Sequence, residues 1–148
     1  MDLRLTGGVA VAVTAMVLAS GCGGGGDDSL TKAEFIQQAD AICRKAHSAL
    51  DKAFTQAFAG KPQPSQAELN KFAREELAPT VQGEIDDVRN LDPPSGDEGE
   101  IEAIADAAQS GVDKIKADPA VLSPQVKFDP LGKNHRLAKA YGMKECSE

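Results

Sequence analysis

The stretch "SLTKAEFIQQADAICRKAHSALDKAFTQAFAG", residues 29 to 60, decides the fold class, because it carries a helix start, a helical stripe and a helix stop in order. Thr31 and Glu34 have the spacing of a capping box, in which each side chain satisfies a backbone amide of the other. Leu30 and Phe35 flank that box at the positions of a hydrophobic staple. Phe35, Ala39, Ile42, Ala46, Ala49, Ala53 and Ala57 then recur in steps of three and four, with Ile36, Cys43 and Leu50 beside them. That period predicts a long amphipathic helix, and Gly60 supplies its end.

Outward from this helix the pattern repeats. "KPQPSQAE" reads as a turn followed by a second capping box, Ser65 with Glu68, and Leu69, Phe72, Leu77, Val81, Ile85, Val88 and Leu91 continue a helical stripe. Pro79 falls inside that stripe without shifting its phase. It removes the amide that would bond the carbonyl of Glu75, so the expectation is a kinked helix, with a break into two helices at Ala78 as the alternative. "LDPPSGDEGE" ends the second helix. Ser95 or Asp97 can cap a third, which carries Ile101, Ile104, Ala108, Val112 and Ile115 on one face and ends near Asp118 and Pro119. A connection from Asp118 to Asp129 leads to "PLGKNHRLAKAYGMKEC", a short last helix with Gly142 as its stop. Only "VKF" hints at strand alternation. The predicted architecture is all-α: an up-and-down bundle of three long helices and a short C-terminal one.

Composition fits that outline. The chain has 148 residues, one Tyr, five Phe and no Trp, so its core must be filled by Ala, Leu, Ile and Val in closely packed helices. The net charge of −7 argues against nucleic-acid binding, which needs a basic stripe to displace counterions from phosphate.

The N-terminal segment is of a different kind. Met1 to Arg4 is followed by the uncharged run "LTGGVAVAVTAMVLAS", Leu5 to Ser20, which is shorter than the roughly 20 residues of a permanent membrane span and has the profile of an export signal. Leu18 to Cys22, "LASGC", resembles the lipobox of bacterial lipoproteins. It departs from the commonest form in having Ala19 three positions before the cysteine. The resemblance implies cleavage after Gly21, a diacylglycerol on the thiol of Cys22 and attachment to the extracytoplasmic face of a cell membrane. Residues 1–21 are then the signal, 22–29 a lipidated cysteine with a Gly/Asp tether, and 30–148 the folded domain.

Acylation of Cys22 leaves two of the three cysteines, Cys43 and Cys146, in a compartment where disulfides form. Their pairing would close a loop of about 100 residues, for which chain entropy gives about 4 to 5 kcal/mol as an upper figure. "ADAIC" and "YGMKEC" resemble the paired motifs of small exported helical lipoproteins of actinobacteria. That resemblance supports the disulfide and the fold, and it implies no activity.

The residues that invite chemistry are few. Cys43 and His47 share a helix face with Asp40 one turn earlier, so "DAICRKAH" has the spacing of a partial zinc or copper site whose third and fourth ligands would have to come from His135, Cys146 or an acid elsewhere. The disulfide competes for the same sulfur. "CRKAH" lacks the CxxCH of a haem attachment, and "CGGGG" lacks the ending of a phosphate loop. No nucleophile and base arrangement emerges, and the paired acids Glu75/Glu76 and Asp86/Asp87 point in different directions on a helix. The expectation is therefore a non-enzymatic binding or interaction module of the envelope without a cofactor. Its partner would be an envelope protein or a small ligand, and the helix around Pro79 is a candidate groove. The alternatives are a metal-handling or redox protein using Cys43, His47 and Cys146, and a structural spacer.

Overall fold

The computed structural model describes residues 29–61, 63–123 and 126–148. The export signal, the lipobox and Cys22 lie outside the described residues, as does all of the expected tether except Ser29, whose hydroxyl lies 3.0 Å from that of Ser95. Among the described residues five α-helices carry the fold: α1 Lys32–Phe58, α2 Gln66–Phe72, α3 Ala78–Arg89, α4 Glu98–Ala117 and α5 Gly132–Tyr141. A π-helical turn, Ala73–Leu77, joins α2 to α3, and 3-10 turns follow α4 (Pro119–Leu122) and α5 (Glu145–Ser147). No strand occurs among the described residues, "VKF" included.

Both capping boxes form. The Thr31 amide donates to Glu34 Oε2 at 3.0 Å and the Glu34 amide to Thr31 Oγ1 at 3.3 Å. Ser65 and Glu68 repeat the exchange at 2.9 and 3.3 Å, and Lys61 pairs with the same Glu68 carboxylate. These contacts hold the Glu34 carboxyl below its ordinary range and bring that of Glu68 down to about 2. Leu30 packs against the cluster that contains Phe35, as a staple requires.

The helix does not break at Ala78. Phe72 and Ala78 both keep right-handed helical backbone angles, so α2, the π turn and α3 form one continuous helical run. Within the wider turn the Ala78 amide bonds to the Ala73 carbonyl, one residue further back than in an α-helix. This relieves the clash between a proline ring and the turn before it, and so gives Pro79 its place just inside α3.

The three long helical runs and α5 pack as a bundle. α3 lies against α1 and α4, α4 against α3 and α5, and the C-terminal 3-10 turn wedges between α1 and α5. The core divides into two clusters. One gathers Phe35, Ala39, Cys43, Ile104, Tyr141 and Met143, and the other Ala73, Val81, Ile85, Ala108, Val112 and Ile115. Polar groups reinforce the α3/α4 seam: Arg89 reaches Glu102 and Asp106 at 3.2 and 2.8 Å, and the amides of Gln82 and Gln109 exchange hydrogen bonds at 2.8 and 3.0 Å.

Two expectations need correction. The alanine stripe of α1 stops being buried after Ala46, since Ala49 and Ala57 are exposed and Phe58 is the buried residue of that end, while Cys43 is buried as its place beside the stripe predicts. The reason is that α1 is covered mainly by α3 and the C-terminal turn, while at its far end its own Phe54 and Phe58 rings pack with Phe72 of α2. Asp97 does stand at the N-cap of α4, but its side chain does not cap the helix. Its carboxylate accepts the Tyr141 hydroxyl at 2.8 Å and lies 3.5 Å from Lys32 Nζ, whose ammonium sits 3.8 Å above the Tyr141 ring. One acid thereby joins the starts of α1 and α4 to the end of α5.

Candidate functional site

Cys43 and Cys146 form the disulfide, with Cα atoms 5.2 Å apart across 103 residues of sequence. Two local features aim the C-terminal sulfur. Gly142 adopts φ 111° and ends α5, which only a residue without Cβ does cheaply. Asp40, one turn before Cys43, then accepts the Glu145 amide at 3.0 Å and so caps the 3-10 turn that carries Cys146. The acid expected beside a metal is thus used to hold the disulfide in place.

The third member of the site is Glu84, which was not singled out from the sequence. Its Oε1 lies 3.2 Å from Cys43 Sγ. A disulfide sulfur carries no proton, so a hydrogen bond here requires a protonated carboxyl that donates its own O–H. Burial pushes the Glu84 carboxyl up to about 7, which makes that protonated form abundant near neutrality. Among the described residues no cation lies within ion-pair distance of it. The signal was present in the sequence: Glu84 stands three residues after Val81 and four before Val88, in step with the apolar stripe.

Glu84 borders three spaces. A cavity of about 20 Å³, room for one water-sized occupant, lies between the disulfide, Glu84, Met143 and Asn134. A groove of about 150 Å³ opens on the other side, with Leu50, Leu77, Val81 and Leu131 as apolar wall and His47, His135 and Asn134 among its polar lining. Asn134 is fixed there by donating to the Ile104 carbonyl at 3.1 Å, and His135 Nδ1 lies 3.7 Å from Asp129. The third space, a shallow groove of about 180 Å³ between α1 and α3, is where Pro79 lies, beside Thr80, Gly83 and Ile42.

Of the metal set expected from sequence, Cys43 and Cys146 come together, but among the described residues the group with ligand atoms all within 4.8 Å of one another is Cys43, Glu84 and Cys146. His47 and His135 instead line the neighbouring groove. Glu75, Glu76, Asp86 and Asp87 are exposed, as expected of a solvated face. No helix among the described residues is long and apolar enough to cross a membrane. Comparison with protein family models, curated proteins and solved structures finds no match.

Proposed function

We propose that this chain is a lipid-anchored binding module of a bacterial cell envelope, held on the extracytoplasmic face by Cys22 and presenting the His47/His135 groove to a small ligand or an envelope protein. The observation that supports this reading is the Cys43–Cys146 disulfide. Such bonds persist in oxidising compartments, and this one accounts for every cysteine except the one in the lipobox-like stretch. The groove supports the binding half: apolar walls supply affinity and a few polar side chains supply orientation, the usual make-up of a ligand site.

Two measurements on whole cells test it. Fed a labelled fatty acid, cells should incorporate the label into the wild-type chain and not into Cys22→Ala, and equal labelling of both refutes the anchor. A photoreactive side chain placed at His135 should give a discrete adduct in intact envelopes that is absent when the probe sits at exposed Thr55. The same adducts from both positions refute the groove.

A further inference from the structure

We infer that opening the Cys43–Cys146 disulfide turns the junction of α1, α3 and the C-terminal turn into a binding site for a thiophilic divalent cation of the Zn²⁺ class, with Cys43, Cys146 and Glu84 as its ligands. The inference goes beyond the envelope-module reading and does not depend on Cys22. One sulfur of the bond and a carboxylate oxygen are already 3.2 Å apart, and all three ligand atoms lie within 4.8 Å of one another. Zn–S bonds of about 2.3 Å and Zn–O bonds of about 2.1 Å, disposed tetrahedrally, need sulfur and oxygen atoms roughly 3.6 to 3.8 Å apart. The largest change is that the two bonded sulfurs must separate, while the 3.2 Å contact between Cys43 and Glu84 lengthens by about 0.4 Å, and Cys146 sits on a short turn rather than inside a long helix.

The chemistry of the set agrees with its geometry. Two thiolates and one carboxylate carry three negative charges, and a divalent ion offsets two of them in a place where burial makes charge expensive. Glu84 has a disulfide sulfur as its hydrogen-bonding neighbour, and among the described residues no cation lies within ion-pair distance of it. A structural core gains nothing from an acid in that position, whereas a metal site gains a ligand. The fourth position falls toward the small cavity that Cys43, Glu84 and Cys146 line together, which has room for one water.

Opening the bond requires a two-electron reductant. A dithiol gives two electrons to the disulfide and is itself oxidised to a cyclic disulfide, a trialkylphosphine does the same and becomes its oxide with oxygen from water, and either leaves thiols on Cys43 and Cys146. Binding of the cation then releases both thiol protons to solvent, together with the Glu84 proton where one is held. Oxidised protein holds no thiolate and therefore does not bind, so the site answers to the redox state of its surroundings.

The test uses the full chain carrying Cys22→Ala, so that no third thiol takes part, reduced with a trialkylphosphine and titrated with Cd²⁺ and then Zn²⁺ in competition. The reduced chain should show a thiolate-to-metal charge-transfer band that saturates at one equivalent, and the oxidised chain should show none. Glu84→Gln keeps both thiols and the side-chain shape, and should weaken binding by at least about tenfold. If reduction lowers helicity, one equivalent of Zn²⁺ should restore it. The proposal is overturned if the reduced chain gives no one-to-one band, if Glu84→Gln binds as tightly as its parent, or if an unfolded reduced chain stays unfolded with the ion present.

Discussion

Single side chains show how an individual charge is put to work, and Glu84 is the clearest case. Its carboxyl titrates at about 7 in the folded chain against about 4.5 for the free group, so between those values the folded state holds a proton that the unfolded state has lost. The sign follows: Glu84 leaves stability untouched below about pH 4.5 and subtracts from it as pH rises toward 7, by as much as ~3 kcal/mol once both states are ionised. Glu84→Gln, whose amide stays neutral and still donates toward the sulfur, should therefore match the wild type near pH 4 and be more stable at pH 8. Melting temperatures of the oxidised proteins across that range check it, and parallel curves would show that the acid is solvated. Tyr141 supplies a second case. Its ring is buried, and burial together with the Asp97 carboxylate raises its hydroxyl well above the ordinary range, so it remains a donor at every working pH. Tyr141→Phe keeps the ring and leaves Asp97 with Lys32 as its remaining partner, and a loss of about 1–3 kcal/mol in urea unfolding is expected for a bond to a charged partner. Neither pairing was legible in the sequence, where Asp97 read as a cap. Long-range partners carry no local signature, and an N-cap residue reads alike wherever its carboxylate turns.

Helices were the legible level, because their signals are local. Thr31 with Glu34, Ser65 with Glu68, and Gly142 each act within a few residues, and all three do in the structure what their spacing predicts. Pro79 marks the limit of such reasoning. Its cost to an α-helix is local and foreseeable, but the remedy, a π turn placed one turn earlier, depends on what the surrounding core requires of Leu77 and Val81. Gly111 is a further case that periodicity does not reveal. It lies on the buried side of α4, and a Cβ there would stand 2.7 Å from the Pro130 carbonyl oxygen and 2.5 Å from Leu131. The missing side chain is what lets the segment before α5 cross α4 so closely. Helix propensity alone favours alanine over glycine by about 1 kcal/mol. Backbone overlap reverses that sign, so Gly111→Ala should destabilise by about 1–3 kcal/mol. Chemical unfolding decides between the two, since a stabilised variant would mean that the crossing loosens at no cost.

At the scale of the whole molecule, the covalent link and the packing act on the same place. Cys43 and Cys146 belong to the core cluster of Phe35, Tyr141 and Met143, and the bond joins the first helix to the last turn of the described chain. Two outcomes of cutting it are distinguishable. If the bond only restrains the C-terminal turn, reduction frays that turn, amide exchange rises after Met143, and the unfolding midpoint barely moves. If it restrains the unfolded chain, the loss is global and of the size expected for a closed loop of 103 residues. The packing favours the second. Met143 and Cys146 are buried, Asp40 holds the turn through Glu145, and α5 is locked to α4 by Asn134 and to Asp97 by Tyr141, so no boundary separates a loose tail from a firm bundle. Cys43→Ala with Cys146→Ala should therefore keep the helical signal and lose about 3–5 kcal/mol of unfolding free energy, with a steeper dependence on denaturant wherever the freed unfolded chain exposes more surface. A loss under about 1 kcal/mol, with fast exchange confined to the last residues, would assign the bond to the tail alone. It would then also let the sulfurs move apart readily once a reductant has opened the bond, which is what a metal ion shared with Glu84 requires.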